Sequence, residues 1–176
     1  MFCVERGNFN PVNFFSYFTV LTNIIVFVTF LISAIAVAHG KGKKVSALRS
    51  ASTVYILVVG VGFSVLLSGL EGITLTAVPW DNTVLHYIIP IAVLIDYVFD
   101  RPVRTEFKKA LLWLIYPAAY LVYALIRGGL TGWYPYPFLN PATNGVWATV
   151  AVIAGIVVLA VGLTWTIVHF GKKKKA

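Results

Sequence analysis

An all-α bundle that crosses a membrane several times is the architecture this chain predicts, and three observations carry it. Hydrophobic residues make up 59% of the chain and charged ones 11%, where a soluble domain carries about 25% charged residues. Apolar runs long enough for the roughly 20 residues that one spanning helix needs recur along the sequence, with little left over for a soluble domain. The basic residues fall in alternate gaps between those runs.

Five helices follow in order, at about 13–38, 47–69, 83–99, 110–126 and 145–170, as one transmembrane domain with a lysine-rich tail at 171–176. Each run exceeds the ~10 residues of a membrane strand, so helices are the better reading. Lys41, Lys43, Lys44 and Arg49 lie between the first and second runs. Arg101, Arg104, Lys108 and Lys109 lie between the third and fourth, and Lys172, Lys173, Lys174 and Lys175 follow the fifth. Only Arg6 and Arg127 of the 14 basic residues remain for the other face. The positive-inside rule then makes the tail cytoplasmic and the start of the chain extracytoplasmic, as in a bacterial plasma membrane. The net charge of +8 is thereby assigned to topology and anionic lipid, and nucleic acid is not an expected partner. The opening stretch MFCVERGNFNPVN reads as the end of an extracytoplasmic loop. It predicts a six-span design with both ends inside, whose first helix lies upstream of this sequence.

Polar side chains inside hydrocarbon are costly unless they face the bundle or a wet cavity, which makes them functional candidates. In FFSYFTVLTN (Phe14 to Asn23), Ser16, Thr19 and Asn23 share one helix face, with Thr22 nearby. Ser64, Ser68 and Glu71 share a face near the outer end of the second helix, His86 lies about one turn into the third, and Arg127 closes the fourth. These groups converge on one depth, the outer half of the bundle. Pro90 lies four residues after His86, so the His86 carbonyl loses its helical donor and a kink is expected. Structural readings compete with each of these. Serine and threonine in such helices commonly bond their own i−4 carbonyl or a neighbouring helix. Asp96 and Asp100 sit beside DRPVR, where pairing with Arg101 or Arg104 is expected, and GWYPYPF (Gly132 to Phe138) reads as an aromatic belt on a proline-stiffened loop. Gly60 and Gly62 are read as close helix contacts. No cofactor is expected. Cys3 stands alone, against a cysteine-based metal site, and His86 is alone in its layer, against bis-histidine haem.

FFSYFTVLTN, TVLHYIIPIAVLIDYVF and YPAAYLVYALIRGGLTGWYPYPFLN resemble the bacterial six-span relatives of the FAR-17a and androgen-induced-gene-type integral membrane proteins. The resemblance runs from about Phe14 to Val168, and its last motif is the most specific. Animal members of that family are threonine hydrolases of fatty-acid esters. The resemblance therefore implies a lipid-like substrate, with Thr19 at the nucleophile position and His86 at the base; a slip of one turn makes Thr22 the nucleophile. Glu71 or Asp81 would steady the imidazolium, Asp96 being about 15 Å further along the helix. Asn23, Ser16 or Ser64 would steady an oxyanion, and Arg127 would hold a free carboxylate. The alternative is a non-catalytic bundle that binds lipid or sterol, or a small transport or scaffold subunit, its hydroxyls serving only as glue.

Overall fold

The computed structural model describes residues 4–5, 8–69 and 79–172. Five helices are long and apolar enough to cross a membrane: α1 Phe18–Ala38, α2 Ser46–Leu66, α3 Trp80–Phe99, α4 Phe107–Thr131 and α5 Val146–Phe170. The protein is an integral, multi-pass helix bundle. Its centre is α2, which packs on α1, α3 and α5. In its most apolar window 56% of α2 is buried, against 11–22% for the other four, whose apolar faces are turned outward. Lipid is as apolar as leucine, so burial alone does not hold such helices together, and small residues and hydrogen bonds must do so.

A two-residue hairpin, Val4–Glu5 against Asn8–Phe9, and one helical turn, Pro11–Phe14, precede α1. That turn is capped by the Asn10 side chain, which accepts from the Asn13 N–H at 3.1 Å, with proline at its first position. The sequence predicted an unbroken helix from 13 onward. Instead the chain turns at Phe15–Tyr17, where side chains engage the backbone. The Ser16 hydroxyl donates to the Val12 carbonyl at 2.5 Å, and the Tyr120 hydroxyl donates to the Ser16 carbonyl at 2.8 Å. The break places Thr19 in the first turn of α1, where backbone N–H groups have no helical acceptor.

Two prolines shape the remaining helices. Pro90 offers no N–H to the His86 carbonyl, and α3 answers by widening into a π-helical stretch over Val84–Ile88, ended by the Ile89 N–H donating to the Val84 carbonyl. Glycine at 60 lets α2 lie against this widened turn. A Cβ there would stand 3.0 Å from the Pro90 Cβ and 3.3 Å from the His86 carbonyl oxygen. Gly62, expected to make a second close contact, has nothing within 4 Å of a would-be Cβ. In α4, Pro117 likewise strips the Trp113 carbonyl of its donor, and the Tyr55 hydroxyl from α2 supplies one at 2.7 Å.

At the end where α1 turns into α2, charges fasten the helices. Arg49 pairs with Asp96 at 2.7 Å and Asp100 at 2.8 Å, and Lys172 reaches Asp100 at 2.9 Å. The expected partners, Arg101 and Arg104, are not the ones used. Asp96 and Asp100 are one turn apart on the side of α3 that meets α2, whose first turn presents Arg49. Arg104 meets the end of α5 through its backbone, its N–H donating to the Lys172 carbonyl at 2.8 Å. Lys172 and Arg49 hold the Asp100 carboxyl below the usual carboxylate range.

Candidate active site

At the opposite end, the start of α1, the π turn of α3 and the loop between α4 and α5 meet around Thr19. Its Oγ1 lies 3.2 Å from Nε2 of His86. The other ring nitrogen, Nδ1, is 3.0 Å from the Asn82 carbonyl oxygen. A carbonyl only accepts, so Nδ1 carries the proton and Nε2 presents its lone pair to the Thr19 hydroxyl. The Phe63 ring stacks on His86 with centroids 4.1 Å apart and fixes the imidazole plane. Thr19 and His86 are both buried.

A third group completes the cluster. The Tyr136 phenol accepts the Thr19 N–H at 3.1 Å and lies 3.3 Å from Thr19 Oγ1. Tyr136 comes from GWYPYPF, which the sequence assigned to an interfacial belt; in the structure this loop folds inward and buries Tyr136 and Leu139. Glycine at 128 permits the fold. A Cβ there would run into the Tyr134 ring, so any side chain would push the loop off α4. Tyr17 then meets Trp133 and Tyr136 edge to face, and Phe138 stacks on Tyr136. Burial pushes the Tyr136 phenol up from its ordinary pKa.

The remaining sequence candidates are distributed differently. Thr22 meets the Tyr116 hydroxyl at 3.2 Å, and of the two threonines it is Thr19 that has its hydroxyl on the imidazole. Ser16 ties the turn before α1 to α4 through the Tyr123 hydroxyl at 2.7 Å. The Asn23 amide is committed to the Thr19 carbonyl at 2.8 Å, and its Oδ1 is buried without a partner. Ser64 does not join the cluster; it is exposed and donates to the Gly60 carbonyl at 2.8 Å. Ser68 does the same with Ser64. Glu71 lies outside the described residues. The partner seen at Nδ1 of His86 is the Asn82 carbonyl, which the π turn brings under the ring. Arg127 donates to the Asn13 Oδ1 at 2.7 Å and lies 4.1 Å over the Trp133 ring, and its second terminal nitrogen is buried without a partner. Among the described residues no group of His, Cys, Asp and Glu is arranged to hold a metal.

Beside the cluster lies a cavity of about 230 Å³ walled by α1, α2, His86 of α3, α4, α5 and the inward loop. Thr19, His86, Tyr120 and Tyr136 are its polar points; the rest of the wall is aliphatic, aromatic, proline or glycine. It exceeds the ~150 Å³ apolar void that accepts benzene. Its wall includes Ala118 on α4 and Val157 on α5, both exposed, so it opens toward the lipid-facing surface between those helices. No family model matches this chain, and no curated protein or solved structure is detectably similar to it.

Asn82 and Tyr136 escaped the sequence reading. Asn82 stood one turn before His86 and signalled its carbonyl only through backbone geometry. Tyr136 was one aromatic among several in an aromatic loop.

Proposed function

We propose that this protein is a membrane-embedded hydrolase of lipid esters, with Thr19 as nucleophile and His86 as general base. The hydrogen-bond chain from Thr19 Oγ1 through His86 to the Asn82 carbonyl, opening on an apolar cavity, carries this reading. A threonine hydroxyl is a weak nucleophile that needs a base within about 2.6–3.2 Å, and a neutral imidazole serves near pH 7. Nε2 takes the Thr19 proton as Oγ1 bonds the ester carbonyl carbon. The tetrahedral intermediate collapses with loss of the alkoxide, which leaves as the alcohol on receiving that proton from His86. Water then attacks the acyl-threonine with His86 again as base, releasing the fatty acid and restoring Thr19.

An acyl chain fits the lining of the cavity, and the opening between α4 and α5 suits entry from the bilayer. The family resemblance of the sequence points the same way. Arg127, whose second terminal nitrogen is buried without a partner, is not among the residues that line the cavity. By the basic loops, the site faces the extracytoplasmic half of the membrane and the C-terminus is cytoplasmic.

A fluorophosphonate probe tests this in membranes holding the protein. Labelling of wild type and of Thr22→Ala, with loss in Thr19→Ala and His86→Ala, is the expected pattern. Equal labelling of Thr19→Ala sinks the assignment. An unlabelled, folded wild type favours the alternative that the apolar lining also suits, a bundle that binds a lipid without cleaving it.

A further inference from the structure

We infer that Tyr136 is a catalytic residue, the hydrogen-bond donor that stabilises the oxyanion formed when Thr19 attacks an ester; this rests on the hydrolase reading above. The inference follows from counting protons around Thr19. Nδ1 of His86 spends its proton on the Asn82 carbonyl, so Nε2 accepts. The Thr19 hydroxyl therefore donates to Nε2 at 3.2 Å. The Tyr136 oxygen receives the Thr19 N–H at 3.1 Å, so one lone pair is used while its own proton stays available. In the resting site that proton faces Thr19 Oγ1, 3.3 Å away. The three groups form a directed chain, from phenol to threonine to imidazole to backbone carbonyl.

Attack moves the Thr19 proton to Nε2 and lets the phenol change partner. When Oγ1 bonds the carbonyl carbon it becomes a near-neutral ether-type oxygen, a weaker acceptor for the phenol than the negatively charged oxygen that forms beside it. The carbonyl π pair moves onto the carbonyl oxygen, which lands beside Oγ1 and within reach of the same phenol. Tyr136 thus passes its hydrogen bond from the nucleophile to the oxyanion and keeps its proton throughout. The interaction is stronger in the transition state than in the ground state, which is the condition for it to raise the rate. Its setting favours this. The phenol is buried on the cavity wall, where a preorganised donor is worth more than in water.

The other donors first considered for the role have their observed hydrogen bonds elsewhere. The Asn23 amide holds the Thr19 carbonyl, Ser16 donates to the Val12 carbonyl, and Ser64 faces outward. Tyr120, the remaining hydroxyl on the wall, donates to the Ser16 carbonyl. Among the described side chains, Tyr136 is the donor with its hydrogen bond directed at the reacting oxygen.

The experiment compares wild type, Thr19→Ala and Tyr136→Phe in detergent micelles. Hydrolysis of a 4-methylumbelliferyl fatty-acyl ester is followed beside fluorophosphonate labelling and thermal melting. The expected result is no turnover in Thr19→Ala and a fall in kcat of roughly 100-fold or more in Tyr136→Phe, the cost of one oxyanion donor, with KM little changed. Turnover at the wild-type rate in Tyr136→Phe, with Thr19→Ala dead, overturns the inference and leaves the hydrolase standing. Turnover in Thr19→Ala overturns both. Should Tyr136→Phe fail to fold, fluorotyrosines of graded acidity at position 136 decide. A rate that tracks phenol acidity supports the donor, and a flat series removes it.

Discussion

The two ends of the bundle are held by opposite kinds of polar group. At the end with the basic loops, Arg49, Asp96, Asp100 and Lys172 join α2, α3 and α5 by ion pairs of 2.7–2.9 Å. At the other end the ties are neutral. Tyr116 meets Thr22, Tyr123 meets Ser16, Tyr120 meets the Ser16 carbonyl, and Thr19 meets His86 and Tyr136. Charges at the membrane surface keep some water, whereas within hydrocarbon an ion is expensive. The difference also shapes space. Tyr116, Tyr120 and Tyr123 reach from α4 to α1 and the turn before it, so long side chains carry that contact and a cavity remains beside it. One end is closed by charge pairs, and the other is left open around the Thr19 hydroxyl.

The sharpest way to break this contrast is to fill the open end without touching its hydrogen bonds. Gly62 lines the cavity, and a Cβ there meets nothing within 4 Å. Gly62→Leu is expected to slow hydrolysis of long-chain esters by roughly 10- to 100-fold, equivalent to about 1–3 kcal/mol. Short-chain esters and labelling by a small fluorophosphonate should be nearly unaffected. A chain-length series of esters reads this directly, and an equal loss at every length would show that the cavity does not hold the acyl chain.

The converse substitution opens the closed end. Arg49→Leu leaves Asp96 and Asp100 without their shared partner, and the Arg49 side chain is only 12% exposed. A loss of about 1–2 kcal/mol is expected, below the 3–5 of a fully buried pair because the two carboxylates keep partial solvent access. It is measured as a lower melting temperature, with kcat unchanged. The pH dependence has a defined sign. Asp100 has a lowered folded pKa, so its contribution is complete above the ordinary carboxylate value of about 3.9 and fades as pH falls through the folded value. Wild type should lose stability over that acid range, and Arg49→Leu should lose less. The same slope in both would detach Arg49 from the effect.

How much of this was legible beforehand also differs between the ends. Five spans followed from hydropathy and loop charge, because both are properties of the sequence alone. Thr19, His86 and the bare His86 carbonyl were readable from spacing and from Pro90. The break before α1 was not, because it depends on Tyr120 donating to the Ser16 carbonyl from 104 positions away. Helical spacing grouped Ser16 with Thr19 on one face, yet the break places them in different elements. Spacing also listed Ser64, which turned outward, and missed Tyr136, because burial of an aromatic loop depends on the partner surface at Gly128. The ion pairs were expected within DRPVR, but the actual partner comes from the next helix in space. Local pattern located the polar groups; only packing paired them.

The mildest prediction concerns the tie nearest the site. Thr22 and Thr19 lie three residues apart in α1, but Thr22 bonds Tyr116 while Thr19 bonds His86. Thr22→Val keeps the side-chain shape and removes one hydroxyl, leaving the Tyr116 phenol without that partner. Such interhelical bonds in membranes average about 0.6 kcal/mol. The melting temperature should fall slightly, by less than in Arg49→Leu, and ester turnover should stay within about twofold of wild type. Because the two hydroxyls are of the same chemical type in the same helix, this variant separates a hydroxyl that holds helices from one placed to react. A large loss of turnover with a small loss of stability would place Thr22 in the chemistry and remove the distinction on which the choice of nucleophile rests.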